Sequence, residues 1–241
     1  MLELIAAASL TALATGLGAI PVWALGERAR AWEPALLGLA GGVMAVAAIG
    51  GLLIPALDES SVPTVALASL AGVAFLVVAR TWMSRGERGS RLPAARRTAL
   101  LVFAVLFVHS LPEGFAVGTA YASETEGLGL FIVVAIAVQN IPEGTSIAIP
   151  LEAAGASASR QFWAAVGTSV PQPIGAVVAY LLVEEIEGLL GASFAFAAGA
   201  MLALVVVELM PDAARRSGPL ATTGFAGGAL AMTVLAVALG V

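Results

Sequence analysis

The sequence predicts an all-α membrane protein, a bundle of helices each long enough to cross a bilayer. Three observations carry this expectation. Hydrophobic residues fill 60% of the 241 positions and charged residues only 11%, with a mean hydropathy of +0.99. That leaves too little polar side chain to cover a soluble domain of this size. The apolar stretches run close to the ~20 residues that a ~30 Å hydrocarbon core requires. The basic residues, all of them arginine, recur at every second connection between those stretches.

Eight spans follow, at about 3–25, 34–57, 62–84, 97–122, 127–151, 160–183, 191–212 and 218–241. The first, beginning MLELIAAASL, has no basic flank and carries Glu3, so it reads as a membrane helix rather than a cleaved leader. Arginines fall after the first span (Arg28, Arg30), around the end of the third and the loop beyond it (Arg80, Arg85, Arg88, Arg91, Arg96, Arg97), before the sixth (Arg160) and after the seventh (Arg215, Arg216). The opposite connections hold Asp58 and Glu59, then Glu124 and Glu126, then Glu184, Glu185 and Glu187, with no basic residue. The positive-inside rule makes the arginine side cytoplasmic and both termini extracytoplasmic, for a multi-pass protein of the inner (plasma) membrane. The one sizeable polar connection, about 84–96, is expected to be a solvated loop of that side. The chain reads as a single transmembrane domain over residues 1–241, with no soluble module. Its 27 glycines and many alanines suit close helix approach in lipid. With no cysteine, disulfide frameworks and thiolate metal sites are excluded.

Two matching hexapeptides sit in the fourth and fifth spans: HSLPEG, from His109 to Gly114, and QNIPEG, from Gln139 to Gly144. Each puts a nitrogen- or oxygen-bearing side chain four residues before a glutamate, so both project from one helical face. Glu113 lies ten residues from the outer loop near Ser123, roughly 15 Å along a helix, and Glu143 nine residues from Glu152, roughly 14 Å. Both therefore fall near mid-membrane, on antiparallel helices, as expected for inverted elements around a midplane site. An intramembrane ionisable group is costly and by default marks a substrate or ion path. His109, Glu113, Gln139 and Glu143 together offer borderline and hard donors suited to a divalent cation. Pro112 and Pro142 lack the N–H that would bond the carbonyls of Val108 and Val138, which opens each helix where its polar side chains lie. The competing view makes these side chains structural, hydrogen-bonded to one another. Duplication of the motif at bilayer depth argues against it.

HSLPEGFAVG and QNIPEGTSIAIP resemble the fourth- and fifth-helix motifs of the ZIP (Zrt/Irt-like) divalent metal transporters, in particular the prokaryotic GufA-like branch. GGVMAVAAIGGLLIPALDES is similar to the family's second helix, SVPQPIGA to its sixth and AFAAGAMLALVVVELMPD to its seventh. The resemblance implies eight helices in a 3+2+3 arrangement with inverted repeats, the fourth and fifth holding the metal. It implies a primary site of Met44, His109, Glu113, Gln139 and Glu143. Met44 alone would pass for a core methionine, and its place in the second-helix pattern is what brings it in. A second, adjacent position in the family shares the two glutamates and maps its other ligands to Ser110, Asn140 and Gln172. The family commonly has Asn at the first and Glu at the third, so the Ser and Gln here should weaken a second dication. Gln172, between Pro171 and Pro173, is expected to line the pathway. Glu208 and Asp212, one turn apart at the inner end of the seventh span, read either as interfacial charge or as an exit relay toward the cytosol.

The expected function is transport of divalent metal ions toward the cytoplasm, most naturally Zn²⁺, with Cd²⁺, Fe²⁺ or Mn²⁺ as further candidates, and the metal is substrate rather than cofactor. Coordination needs ionised carboxylates and a neutral imidazole, so binding should release protons. A passive metal pore stays open as an alternative. An intramembrane hydrolase is disfavoured, since one histidine cannot build an HExxH site. The chain is therefore expected to be no enzyme. Expected partners are metal ions and membrane lipids, not nucleic acid, and a homodimer is one admissible assembly.

Overall fold

The computed structural model describes residues 1–86, 93–123, 125–186 and 188–241, and every regular element among them is helical. Arg88, Arg91, Glu124, Glu187 and the centre of the loop expected at 84–96 lie outside the described residues. Among the described residues, seven helical runs are long and apolar enough to cross a membrane.

The first run is α1 (Leu2–Leu17) and α2 (Ala19–Leu25), joined at Gly18. After a 3-10 turn, α3 (Ala29–Ala48) passes through a π turn, Ile49–Leu53, into α4 (Ile54–Glu59). The single helices α5 (Val62–Gly86), α6 (Ala94–Ala122) and α7 (Leu128–Ala153) follow. Next come α8 (Ala158–Thr168) and α9 (Pro171–Glu185), separated at Ser169 and Val170. Last, α10 (Leu189–Leu204) leads through a second π turn, Val205–Leu209, into α11 (Met210–Leu239). The second run starts at Ala29, ahead of the apolar stretch that begins near position 34. Hydropathy marks only the hydrocarbon part of a span, and the helix continues into the interface. Both π turns end two residues before a proline, Pro55 or Pro211. A proline ring clashes with the carbonyl one turn back, and a widened turn relieves that clash.

The expected seventh and eighth spans fall within one run, Leu189–Leu239, of 51 residues. Its helical geometry fails at Ser217 (φ −162°, ψ 102°), directly after Arg215 and Arg216. The part of α11 beyond that break lies against α3.

Packing relies on backbone-to-backbone crossings at glycine. A Cβ on Gly42 of α3 would overlap the carbonyl oxygen of Phe225 on α11, and one on Gly228 would overlap that of Leu39. Gly72 of α5 meets the Phe196 carbonyl of α10 in the same way. Two further crossings use the glycines of the duplicated motif: Gly114 of α6 abuts the Gln172 carbonyl of α9, and Gly144 of α7 abuts the Thr15 carbonyl of α1. Small residues make such approaches feasible in lipid, where no hydrophobic effect drives helices together. Helix α7 lies at the centre, touching α1, α3, α6 and α8. Phe131, Ile132 and Ile136 of α7 are fully buried against Leu52 and Phe194 in the main core. By contrast α5 turns Leu67, Leu70 and Val78 outward, as a lipid-facing helix would. All four tryptophans, Trp23, Trp32, Trp82 and Trp163, are exposed, and each lies within five residues of an arginine. Tryptophan favours the membrane–water interface, so these side chains mark the headgroup level on the arginine face.

The crossing at Gly42 gives a direct test. Gly42→Ala forces α3 and α11 apart and should destabilise the protein by about 1–3 kcal/mol, the usual penalty of overpacking. Gly227→Ala, whose Cβ would meet nothing within 4 Å, should stay within about 0.5 kcal/mol of the parent. Thermal or denaturant unfolding in detergent compares the two.

Candidate metal centre

Both motif helices run through their internal prolines, Pro112 in α6 and Pro142 in α7, as single elements. Their i, i+4 pairs face inward together. His109 is 3% exposed, Glu113 and Glu143 are 1%, and Gln139 is 0%. The Gly114 and Gly144 crossings then bring α9 and α1 against the same point, so four helices supply side chains to it.

Glu113 is the best-connected of these residues. Its Oε1 accepts a bond from Gln139 Nε2 at 2.7 Å, and its Oε2 accepts one from Gln172 Nε2, also at 2.7 Å. Gln172 is fully buried and also exchanges hydrogen bonds with Asn140, its Nε2 donating to Asn140 Oδ1 and its Oε1 accepting from Asn140 Nδ2, both at 3.2 Å. Asn140 Nδ2 further donates to the Thr11 carbonyl at 2.7 Å, and Thr11 Oγ1 donates to Gln172 Oε1 at 3.0 Å. Beside this, Thr15 and Ser169 share a 2.6 Å bond between hydroxyls. Ser110 is buried, but its hydroxyl donates back to the Leu106 carbonyl at 3.0 Å rather than joining the network. Thr11 and Thr15 are absent from the sequence-derived candidates. Their four-residue spacing within an otherwise apolar first span is the signal that marks them.

A different kind of residue surrounds His109. Its Nε2 lies 3.7 Å from the Glu208 carboxylate, which is itself 3.8 Å from Arg80 Nε. Arg80 also donates to the Val207 carbonyl at 3.2 Å, inside the second π turn. A cavity of about 410 Å³ runs from His109 and Ser146 past Glu208 and Asp212 to Arg215 and Arg216. Asp212 pairs with Arg215 at 3.0 Å and Arg216 at 3.1 Å, and Arg216 also bonds the buried Glu33 of α3. Met44 is fully buried in the main apolar core, alongside Ala47 and Leu52.

Six buried side-chain atoms among the described residues have no hydrogen-bond partner. Five of them belong to His109 (both nitrogens), Gln139 (Oε1), Glu143 (Oε1) and Glu208 (Oε2), the sixth being Ser69 Oγ. Buried polar atoms are otherwise almost always paired, so this clustering on one set of residues leaves lone pairs free for a ligand. Lone pairs of imidazole, amide and carboxylate are what a borderline dication accepts. Energetics agree. Hydrogen bonds to a charged group contribute about 1.5–3 kcal/mol each, whereas enclosing an ion costs several kcal/mol even after relaxation. Two amide bonds do not comfortably offset two enclosed carboxylates, and a cation or a proton would complete the balance. No three His, Asp or Glu side chains among the described residues stand close enough together to hold an ion as they are.

Comparison with known proteins identifies the family. The family profile described as ZIP Zinc transporter matches residues 81–236, well over half of the chain. The zinc transporter GufA of Myxococcus xanthus is 35% identical over 97% of this chain and 98% of its own length. The zinc transporter ZIPB of Bordetella bronchiseptica is 30% identical over 94% of this chain and 78% of its own length. An Arabidopsis thaliana protein provisionally described as a zinc transporter is 34% identical over 86% of this chain, which spans only 34% of that longer protein. A family match across both motif helices, with identity to GufA along nearly the whole of each chain, makes this protein a member of the ZIP family of zinc transporters.

Proposed function

We propose that the chain carries Zn²⁺, and other divalent cations less well, across the membrane toward its arginine-bearing face through a mid-membrane site on α6 and α7. The observation that carries this reading is the set of unpartnered buried atoms on His109, Gln139 and Glu143. Glu113 joins them as a ligand once the ion displaces the Gln139 and Gln172 amides, and Met44 adds a thioether from α3. The Myxococcus and Bordetella relatives named as zinc transporters support zinc as the principal cargo.

Charge gives the path its orientation. The cavity joins His109 to Glu208 and Asp212 and opens among Arg80, Arg215 and Arg216. The positive-inside rule makes that face cytoplasmic, with both termini on the other side of the inner membrane. Eight crossings fit better than seven. A continuous helix of 51 residues would be roughly 76 Å long, over twice the ~30 Å core, and Ser217 divides it where Arg215 and Arg216 cluster. Three helices on either side of α6 and α7 then give the 3+2+3 arrangement. Alternating access is favoured over an open pore by an asymmetry. One face reaches His109 through the cavity, while Asn140 and Gln172 are 0% exposed among Thr11, Thr15 and Ser169. Glu208 and Asp212 would pass the released ion outward along the cavity, with Arg80 as a tethered cation that neutralises Glu208 when no metal is there.

Removal of ligands tests the site. His109→Ala and Glu143→Ala should each weaken Zn²⁺ or Cd²⁺ binding at least a hundredfold, a loss of about 2.7 kcal/mol or more, while leaving a monodisperse protein. Calorimetry on purified variants reads this, and parent-like affinity in Glu143→Ala would remove Glu143 from the site.

Stoichiometry provides an independent test. The Gln172 amide donates to Glu113 where a second ion would need a negative ligand. The parent should therefore bind one dication tightly, and Gln172→Glu should bind a second that titration resolves. Two tight ions per parent chain would contradict this.

Proton release follows from the ligand chemistry. Binding heats measured at neutral pH in buffers of different ionisation enthalpy should differ, because carboxylates must be ionised to coordinate. Affinity should fall as pH is lowered and protons compete for the same oxygens. Heats that are identical in all buffers would show that no net proton leaves.

A further inference from the structure

A second cavity, of about 370 Å³, lies apart from the metal path, between the arginine-side ends of α6, α7 and α8. Its size falls within the ~300–1,000 Å³ typical of ligand pockets. Phe103 and Leu100 of α6 and Ile147 and Leu151 of α7 form an apolar wall, while Arg96 and Arg160 stand at its rim. Each arginine is the third residue of its helix, in α6 and α8 respectively, so both guanidiniums sit at positive helix ends. Both are exposed, and among the described residues neither has an acidic side chain within ion-pair distance. The other described arginines around the first cavity are paired: Arg80 with Glu208, Arg215 with Asp212 and Arg216 with Glu33.

Depth narrows the occupant. Trp163, 62% exposed, lies three residues beyond Arg160 and marks the interface there. The two charges are thus at headgroup level, and the apolar wall descends from them toward the hydrocarbon. A site with two cations above and a greasy slot below fits an amphiphile with an anionic head. A zwitterionic lipid would bring its own cation against the two arginines, and a soluble phosphate would leave the apolar wall unused.

We infer that this cavity is a binding site for one anionic phospholipid of the arginine-side leaflet, its phosphate held by Arg96 and Arg160 and an acyl chain lying between α6 and α7. Basic pockets between membrane helices bind such headgroups by this chemistry. The site lies on the two helices that bear the duplicated motif. An occupying chain would wedge their inner ends and tie their relative position to lipid composition. This is independent of which ion the protein carries, and it stands or falls without any transport measurement.

The test uses the purified full chain in detergent, titrated with phosphatidylglycerol, phosphatidylcholine or inorganic phosphate. Native mass spectrometry and melting temperature are the readouts. Phosphatidylglycerol should remain bound at about one per chain and raise the melting temperature, and the other two should not. Arg96→Gln with Arg160→Gln should weaken retention by on the order of thirtyfold, given about a fivefold loss per arginine. Arg28→Gln with Arg30→Gln, on the same face but away from the cavity, should leave it unchanged. Should the cavity double variant fail to fold, Ala164→Phe fills the slot without altering charge and should abolish retention. Equal retention of phosphatidylcholine overturns the proposal, as does stabilisation by inorganic phosphate alone. Unchanged phosphatidylglycerol binding in the double variant or in Ala164→Phe also overturns it.

Discussion

A carboxylate enclosed between two glutamine amides is the constraint on which the rest of this bundle depends. Glu113 is 1% exposed, and each of its oxygens accepts one amide hydrogen bond. Holding it there requires Gln139 from α7 and Gln172 from α9, and Gln172 is in turn fixed by Asn140 and Thr11. Those side chains converge only because two helix crossings are tight enough. Gly114 lets α9 lie backbone against backbone on α6, and Gly144 does the same for α1 on α7. The glycine that ends each hexapeptide thus has a mechanical reason to follow its glutamate. It brings in the helix that completes the glutamate's surroundings.

Around this centre the charges are sorted. The portion of the site around Asn140 and Gln172 is neutral and sealed by hydroxyls and amides. Toward the arginine face the groups become ionic, from His109 to Glu208 and Arg80, then Asp212, Arg215, Arg216 and Glu33. A dication leaving an enclosed site would meet Glu208 and then the more exposed Asp212, each already offered a guanidinium. Such an arrangement binds a passing cation only weakly, because a local cation competes for every carboxylate, and weak intermediate sites favour release. The two π turns fit this scheme. One carries Glu208 itself, and the other follows the Met44 segment. Wide turns of this kind are frequent at functional positions.

Much of this was legible from sequence because it is local. Membrane class, helical character and the inward pairing of His109 with Glu113 and of Gln139 with Glu143 rest on composition and on four-residue spacing. The two prolines flanking Gln172 made it a candidate for the pathway. The structure buries it completely, and the helix break lies at Ser169 and Val170, just ahead of Pro171. What could not be read is non-local. Thr11 meets Gln172 across 161 positions, and Arg80 meets Val207 across 127. No periodicity encodes such contacts. The back-bonding of Ser110 to Leu106, which takes its hydroxyl out of the site, is a rotamer choice set by packing. The break at Gly18 escaped hydropathy because it interrupts hydrogen bonding without interrupting the apolar run, whereas the break at Ser217 falls in the connection expected between the seventh and eighth spans.

The central claim is that an enclosed site accepts an ion from one face and releases it to the other, so flux should saturate and exchange. Uptake of radioactive Zn²⁺ into proteoliposomes, with and without unlabelled Zn²⁺ trapped inside, measures both properties directly. The account predicts uptake that saturates with external zinc and is accelerated by the trapped ion, since the reoriented site returns loaded. Uptake that rises linearly with zinc and ignores the trapped ion, or that does not exceed protein-free vesicles, would contradict it.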